Sequence, residues 1–215
     1  GKTTTAANLG LAIAKQRKSV ILAACDPRNP SVAEVLKDQG KHPAIGAVLR
    51  GKVSLQRALT IFQIPGTDAE MEVLYGGKPN AGDAALLGSR KMDNLIETLR
   101  MRADYVILDT APADLLADAS LLGKYVDFVL YVIRCEYTKV NKIRSGIETL
   151  TARNVNLLGY IFNNDVNQKS SRYGYGYGYG YGRYGRYGRY GRYSHYGKLK
   201  GTGQTEDEAG RVIKE

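Results

Sequence analysis

The residues best suited to chemistry stand at the start of the chain. Gly1-Lys2-Thr3-Thr4 matches the closing part of a phosphate-binding loop of the form G-x-x-x-x-G-K-[ST]. Gly1 lets the backbone approach a phosphate, and Lys2 reaches the β/γ oxygens. The Thr3 hydroxyl suits Mg2+, and amides of a helix N-terminus, that of Thr4 among them, cradle the anion. The loop's first glycine and the strand that feeds it would come before Gly1. The sequence therefore reads as one that begins inside its own motif, with phosphate binding expected to be weakened.

Two carboxylates complete the constellation. Asp109 ends the apolar run Tyr105-Val-Ile-Leu, where an aspartate holds Mg2+ directly or through water. An aspartate that only caps the following turn is the plain alternative. Asp26 ends the apolar run of residues 19–25 and precedes Pro27-Arg28-Asn29-Pro30. A carboxylate at the carboxyl end of a parallel strand points into the crevice where such sheets bind ligands. Asn163 closes the run of residues 157–162 and fits a nucleobase contact or a simple turn equally well. His42 and His195 are far apart and lack cysteine partners, which argues against a metal site. Cys25 and Cys135 lie in apolar runs, as buried thiols of a reducing cytosol do, and Cys25 is close enough to Asp26 to line the pocket. Tyr75, Tyr105, Tyr125 and Tyr131 sit in or beside apolar runs and read as structural.

The other chemical signal is a tyrosine cluster near the end. Ten of the 24 residues from 173 to 196 are tyrosine: Tyr173, Tyr175, Tyr177, Tyr179, Tyr181, Tyr184, Tyr187, Tyr190, Tyr193 and Tyr196. They are separated first by Gly and then by Gly-Arg. Charge follows the same division. The chain carries a net +10 over 215 residues, but residues 1–168 hold 21 basic and 17 acidic side chains, a net of +4. Residues 169–200 hold 8 basic side chains and no acidic one, and residues 201–215 hold 2 basic and 4 acidic. The composition thus describes a body, residues 1–168, and a Tyr/Gly/Arg-rich tail, residues 169–215. Alternating glycine maximises chain entropy and the tail offers no aliphatic cluster to bury, so it is expected to be disordered. As a Gly-rich chain, some 28 residues would span roughly 30 Å.

The elements that must position these residues follow from periodicity. Residues 3–18 carry apolar side chains at helical spacing, and residues 19–25 form a strand-length apolar run. Residues 71–75 read as a short strand, 84–102 as an amphipathic helix and 105–109 as a buried strand. A helix over 115–123, a strand over 126–133, a helix over 140–153 and a strand over 157–162 complete the body. The rhythm predicts an α/β domain with a mostly parallel sheet covered by helices on both faces. No apolar run reaches the ~20 residues that cross a bilayer.

These pieces, in this order, resemble the bacterial tyrosine kinases of capsule and exopolysaccharide biosynthesis, in the P-loop NTPase-like branch that also holds partition and division-site ATPases. The branch is marked by Gly1-Lys2-Thr3-Thr4 with Asn8-Leu9, by Tyr105-Val-Ile-Leu-Asp109-Thr110 and by Gly159-Tyr-Ile-Phe-Asn163. The kinases are marked by the tyrosine cluster and by Leu74-Tyr-Gly-Gly-Lys-Pro-Asn-Ala-Gly-Asp-Ala-Ala-Leu-Leu-Gly-Ser89, similar to a G-x-x-P-P-N-P-x-E-L-L-x-S segment. Lys78, Ala81 and Asp83 depart from that pattern, as does Ala111 after Asp109-Thr110.

The resemblance implies Mg2+- and ATP-dependent phosphorylation of the tail tyrosines, between subunits of a homo-oligomer. Gly1, Lys2, Thr3, Thr4 and Asn163 would bind the nucleotide. Thr3, Asp26 and Asp109 would hold the metal, and Lys2, Asp26, Arg28 and Asp109 would carry catalysis, with Asp26 as the base. It further implies a cytoplasmic protein docked, at the inner face of the plasma membrane, on the cytoplasmic segment of a membrane regulator of polysaccharide chain length. One departure bears on activity. The family's D-x-D-x-R motif corresponds to Ala24-Cys25-Asp26-Pro27-Arg28, so a methyl group stands where the first aspartate belongs. A kinase-deficient nucleotide-binding scaffold and a partition-type ATPase therefore stay open. Tyr, Gly and Arg interleaved also suit single-stranded nucleic acid, a partner made less apt by a body whose site already accounts for the tyrosines.

Overall fold

The computed structural model describes residues 1–113, 121–135 and 137–163. The chain divides into two units, Gly1–Lys169 and Ser170–Glu215. The second, with the expected disordered tail and all ten clustered tyrosines, lies outside the described residues, as does most of the expected helix over 115–123.

At the centre is β1 (Val20–Cys25), whose six residues Val-Ile-Leu-Ala-Ala-Cys are all buried. A strand that buries both faces needs apolar side chains at every position and helices on either side. Both conditions are met. Val20, Leu22 and Ala24 pack with Ala7, Ala14 and Val32, from α1 (Lys2–Ala14) and α2 (Val32–Leu36). Ile21, Ala23 and Cys25 pack on the opposite side with Ile45 and Leu49 of α3 (Ile45–Leu49) and with Met92, Leu95, Ile96 and Leu99 of α5 (Arg90–Arg102). The short α4 (Leu55–Ala58) begins at Ser54, whose hydroxyl accepts the Arg57 amide.

Along its edges β1 pairs in parallel with β3 (Glu70–Leu74) and β4 (Tyr105–Thr110). Antiparallel β2 (Leu59–Gln63) lies outside β3, giving the order β2-β3-β1-β4. The α/β reading with a mainly parallel sheet holds. β2 was missing from the expected strands because Leu-Thr-Ile-Phe-Gln is half polar and presents Ile61 to solvent, as suits an outer strand. A second parallel pair joins β5 (Val129–Arg134) to β6 (Leu157–Asn163), with α6 (Val140–Thr151) between them in sequence. Among the described residues β4 and β5 do not pair, so the expected single sheet is two. The start of α1 links them. A Cβ built on Gly1 would lie 3.7 Å from Val132 Cγ1 of β5, and the Thr3 side chain two residues on comes near Asp109 of β4.

The expected helix over 84–102 is interrupted. Residues Ala81–Gly88 form 3-10 turns, Ser89 is extended (φ −88°, ψ 159°), and α5 begins after it. Gly82 and Gly88 weaken a regular helix, while the Ser89 amide and hydroxyl both donate to the Leu86 carbonyl and close the turn. α5 then buries Met92, Leu95, Ile96 and Leu99, a stripe at helical spacing, and ends in Arg100 and Arg102 where the helix dipole favours cations. The Arg102 guanidinium makes two 2.6 Å bonds to Glu72 of β3, fastening the helix to the sheet. α1 also stops earlier than expected, because the chain unwinds through a tight turn into left-handed Arg17 (φ 60°) before entering β1. β4 is not the buried strand expected over 105–109: Tyr105 is exposed, Val106, Ile107 and Leu108 are half-buried, and only Asp109 is enclosed.

Leu22 is fully buried at the middle of β1. Leu22→Ala is expected to lower unfolding free energy by about 2–5 kcal/mol, the range for a buried leucine replaced in a tightly packed core. Urea unfolding followed by far-UV circular dichroism measures the loss.

Candidate active site

Strand register places the key residues. In the parallel β1–β4 ladder Ala24 is paired with Asp109 and Cys25 with Thr110. Laterally paired residues project to one face, so Asp109 points to the same side as Val20, Leu22 and Ala24, the side that α1 covers. Thr3, in the first turn of α1, is thereby brought over Asp109, near enough for its hydroxyl to favour the ionised carboxylate. The first amides of α1, including that of Thr4, have no partners within the helix and mark its positive end. The Thr4 side chain itself is exposed.

Asp109 is 3% exposed, and its Oδ1 has no hydrogen-bond partner among the described residues. Burial pushes its carboxyl up to about 6, and the Asp26 charge adds to the rise. The Thr3 hydroxyl and the Lys2 charge pull the other way. A buried carboxylate with one orphaned oxygen, next to a threonine hydroxyl, fits a hard divalent cation, whose preferred donors are oxygens. Thr3 and Asp109 are the residues that would hold Mg2+, which when bound would neutralise charge on the nucleotide phosphates. Among the described residues no cluster of three His, Cys, Asp or Glu side chains could hold a metal unaided, consistent with donors contributed by phosphate.

Asp26 is buried and differently constrained. Its Oδ1 accepts the backbone amides of Arg28 (3.2 Å) and Asn29 (3.0 Å), closing a turn that fixes the loop after β1. The segment following β3 braces that loop. The Asn80 amide donates to the Pro27 carbonyl at 2.8 Å, and Gly76 comes so near Pro30 that a Cβ would lie 2.5 Å from the proline Cβ, leaving room for glycine alone. Asp83, buried at 8%, pairs with Arg50 and accepts from Asn80 Nδ2 at 3.1 Å. The motif of residues 74–89 thus holds the Asp26 loop, and at Gly76 it also approaches Ala24.

At the far side Asn163 ends β6, and a Cβ on Gly1 would come within 2.7 Å of Asn163 Nδ2. Glycine at position 1 therefore allows the asparagine to reach the loop. Arg134 is paired with Asn163 in the β5–β6 register.

The structure thus brings Gly1, Lys2, Thr3, Asp26, Asp109 and Asn163 together, and Arg28 joins through its backbone. Cys25 does not line the pocket. It is fully buried in the opposite core, and burial raises its thiol pKa far above the ordinary range. Sequence reasoning missed Ser31, whose hydroxyl lies 3.0 Å from that of Thr3. Ser31-Val-Ala-Glu34 announces a helix start and gave no sign of this contact. His42 is a structural residue, stacked on Tyr75 with ring centroids 4.3 Å apart.

Comparison with known proteins accords with this geometry. The AAA domain family matches residues 1–166. The tyrosine-protein kinase YwqD of Bacillus subtilis (strain 168) is 34% identical over 174 residues, covering 81% of this chain and 71% of that protein. The chain belongs to the bacterial tyrosine kinases. Coverage of relatives differs widely: the tyrosine-protein kinase ptk of Acinetobacter johnsonii is 28% identical over 80% of this chain, which spans only 23% of that longer kinase. Among solved structures the kinase domain of Escherichia coli tyrosine kinase ETK superposes with a TM-score of 0.68 at 25% identity, over 81% of this chain and 66% of that one. These names support a kinase-type activity in general, on a P-loop NTPase-like fold. In this chain Ala24 lies directly beside Asp109, so a methyl group stands on the face that the Asp109 carboxylate shares.

The Asp109 pKa makes stability pH-dependent. Because folding favours the protonated form, stability is highest below the carboxyl's unfolded value near 4, falls as pH rises towards about 6, and is level above. The loss is on the order of 3 kcal/mol. Asp109→Asn is expected to flatten the metal-free melting temperature between pH 4 and 7 and to raise it at pH 7, which thermal unfolding in EDTA measures.

Proposed function

We propose that this chain is an ATP-dependent tyrosine autokinase that phosphorylates the tyrosine cluster of another copy of itself. The observation that carries the reading is the orphaned Asp109 oxygen beneath the phosphate-binding start of α1, with Lys2 and Thr3 on the same spot. Lys2 and the first amides of α1 bind and orient the β/γ-phosphates, and Thr3 with Asp109 holds Mg2+. Asn163 faces the base from beside Gly1. Asp26, kept in place by the Arg28 and Asn29 amides, is the group that takes the proton of a tyrosine hydroxyl. Phosphoryl transfer asks little covalent chemistry of the protein, so positioning and charge neutralisation supply most of the rate.

The acceptors are Tyr173 to Tyr181 and the Gly-Arg-spaced tyrosines that follow. Each phosphate adds roughly −1.5 to −2 charges, so ten would take residues 169–200 from +8 to somewhere between about −7 and −12. A reversal of that size releases contacts with anionic surfaces and sets subunits against one another. Family resemblance extends the reading to control of capsule or exopolysaccharide synthesis and export, in the cytoplasm, on the cytoplasmic segment of a membrane chain-length regulator. A second reading has its own support: with a methyl at position 24 the site lacks one carboxylate, and a chain that binds nucleotide without transferring phosphate would serve as a scaffold.

The two separate by intact mass after incubation with Mg-ATP. Phosphate increments on the tail that vanish in Asp26→Asn are the expected result for a kinase that works without a carboxylate at position 24. Increments that appear only in Ala24→Asp would establish the scaffold, and none in either protein would sink the kinase reading.

A further inference from the structure

Ser31 occupies the N-cap of α2, and Ser31-Val-Ala-Glu34 has the S-x-x-E pattern of a capping box. Its hydroxyl nevertheless caps nothing: no backbone amide of α2 donates to it. It is turned to the Thr3 hydroxyl instead, 3.0 Å away and 28 residues distant in sequence. A serine at a helix start that forgoes its usual local bond is held by something else, and that something is the phosphate-binding turn.

Counting protons gives the bond a direction. A hydroxyl has one proton to donate and two lone pairs to offer. Thr3 is also near enough to the Asp109 carboxylate to favour the ionised acid, so Thr3 is the donor there. When that proton turns to the carboxylate, the Ser31 hydroxyl is the donor to Thr3 Oγ1. One Thr3 lone pair is left, and the two bonds fix where it points. The loop that brings Ser31 is itself firm, closed by the Asp26 turn and braced by the Asn80–Pro27 hydrogen bond.

We propose that Ser31 is a positioning residue that orients the Thr3 hydroxyl, so that its remaining lone pair meets the divalent cation accompanying the nucleotide. The inference rests on the magnesium-nucleotide reading above and adds to it a residue outside the phosphate-binding motif. It implies that Ser31 acts on the metal-dependent part of nucleotide binding and leaves the metal-free part alone.

The test titrates Mg2+ into the full 215-residue chain with a fluorescent ADP analogue, alongside Ser31→Ala, Ser31→Gly and Ser31→Thr, with thermal unfolding in EDTA for each. Glycine is included because it is tolerated at helix N-caps. In EDTA all four are expected to bind the analogue equally and to melt together. With Mg2+, Ser31→Ala and Ser31→Gly should need roughly tenfold more metal for half saturation, the scale of one lost hydrogen bond, and Ser31→Thr should recover most of the difference. An unchanged Mg2+ midpoint in either hydroxyl-free variant overturns the proposal, and a lowered melting temperature with it would show that the bond merely fastens α2 to α1. If Mg2+ fails to strengthen binding even in the unaltered chain, the magnesium-nucleotide reading falls and this inference with it.

Discussion

The register of β1 against β4 is the constraint on which the site depends. Pairing Ala24 with Asp109 sends that carboxylate to the face under α1, where Thr3 and Lys2 meet it. A slip of one residue would turn Asp109 into the opposite core among Ile21, Ala23 and Leu99. What prevents the slip is the burial of β1 on both faces and its pairing along both edges. The most apolar strand of the protein thus serves as the gauge that positions its most polar site.

The two central carboxylates have been given different lives by their surroundings. Asp26 has an oxygen satisfied by two backbone amides, so the carboxylate and its loop are held in place together. Asp109 is more deeply enclosed and keeps an oxygen without a protein partner. Leaving a buried acceptor unmet costs the free protein stability, and the surrounding core of aliphatic side chains offsets it. The unmet oxygen is what fits Asp109 to the cation proposed above, whereas the amides on Asp26 hold that carboxylate in place with its loop. The ion pair of Asp83 with Arg50 belongs to neither role. It stands behind the Asp26 loop and holds the segment that supports it.

Much of this was legible in the sequence because strand ends and helix starts are where local chemistry and topology coincide. Asp26, Asp109 and Asn163 each close an apolar run, and in a parallel sheet such ends gather on one rim. The Gly-Lys-Thr string sits at a helix start for the same reason. What was not legible depended on contacts between distant segments. The 3-10 turns before α5 follow from glycines and a serine whose hydroxyl bonds backward. β2 has too little apolar alternation to announce itself. Cys25 neighbours Asp26 in sequence, but successive strand residues face opposite ways, which removes it from the pocket. Ser31 showed only its local pattern, and its actual partner lies 28 residues away.

The fixed ladder around position 24 also bears on how this protein descends from and diverges among its relatives. Because the pairs on either side of position 24 fix the β1–β4 register, any side chain at that position stands beside Asp109. Alanine and aspartate codons that end in a pyrimidine differ by a single base, so a carboxylate beside Asp109 is one mutational step away from such a codon. Strand register thus fixes where a carboxylate would stand, and the residue at position 24 decides only whether one is there.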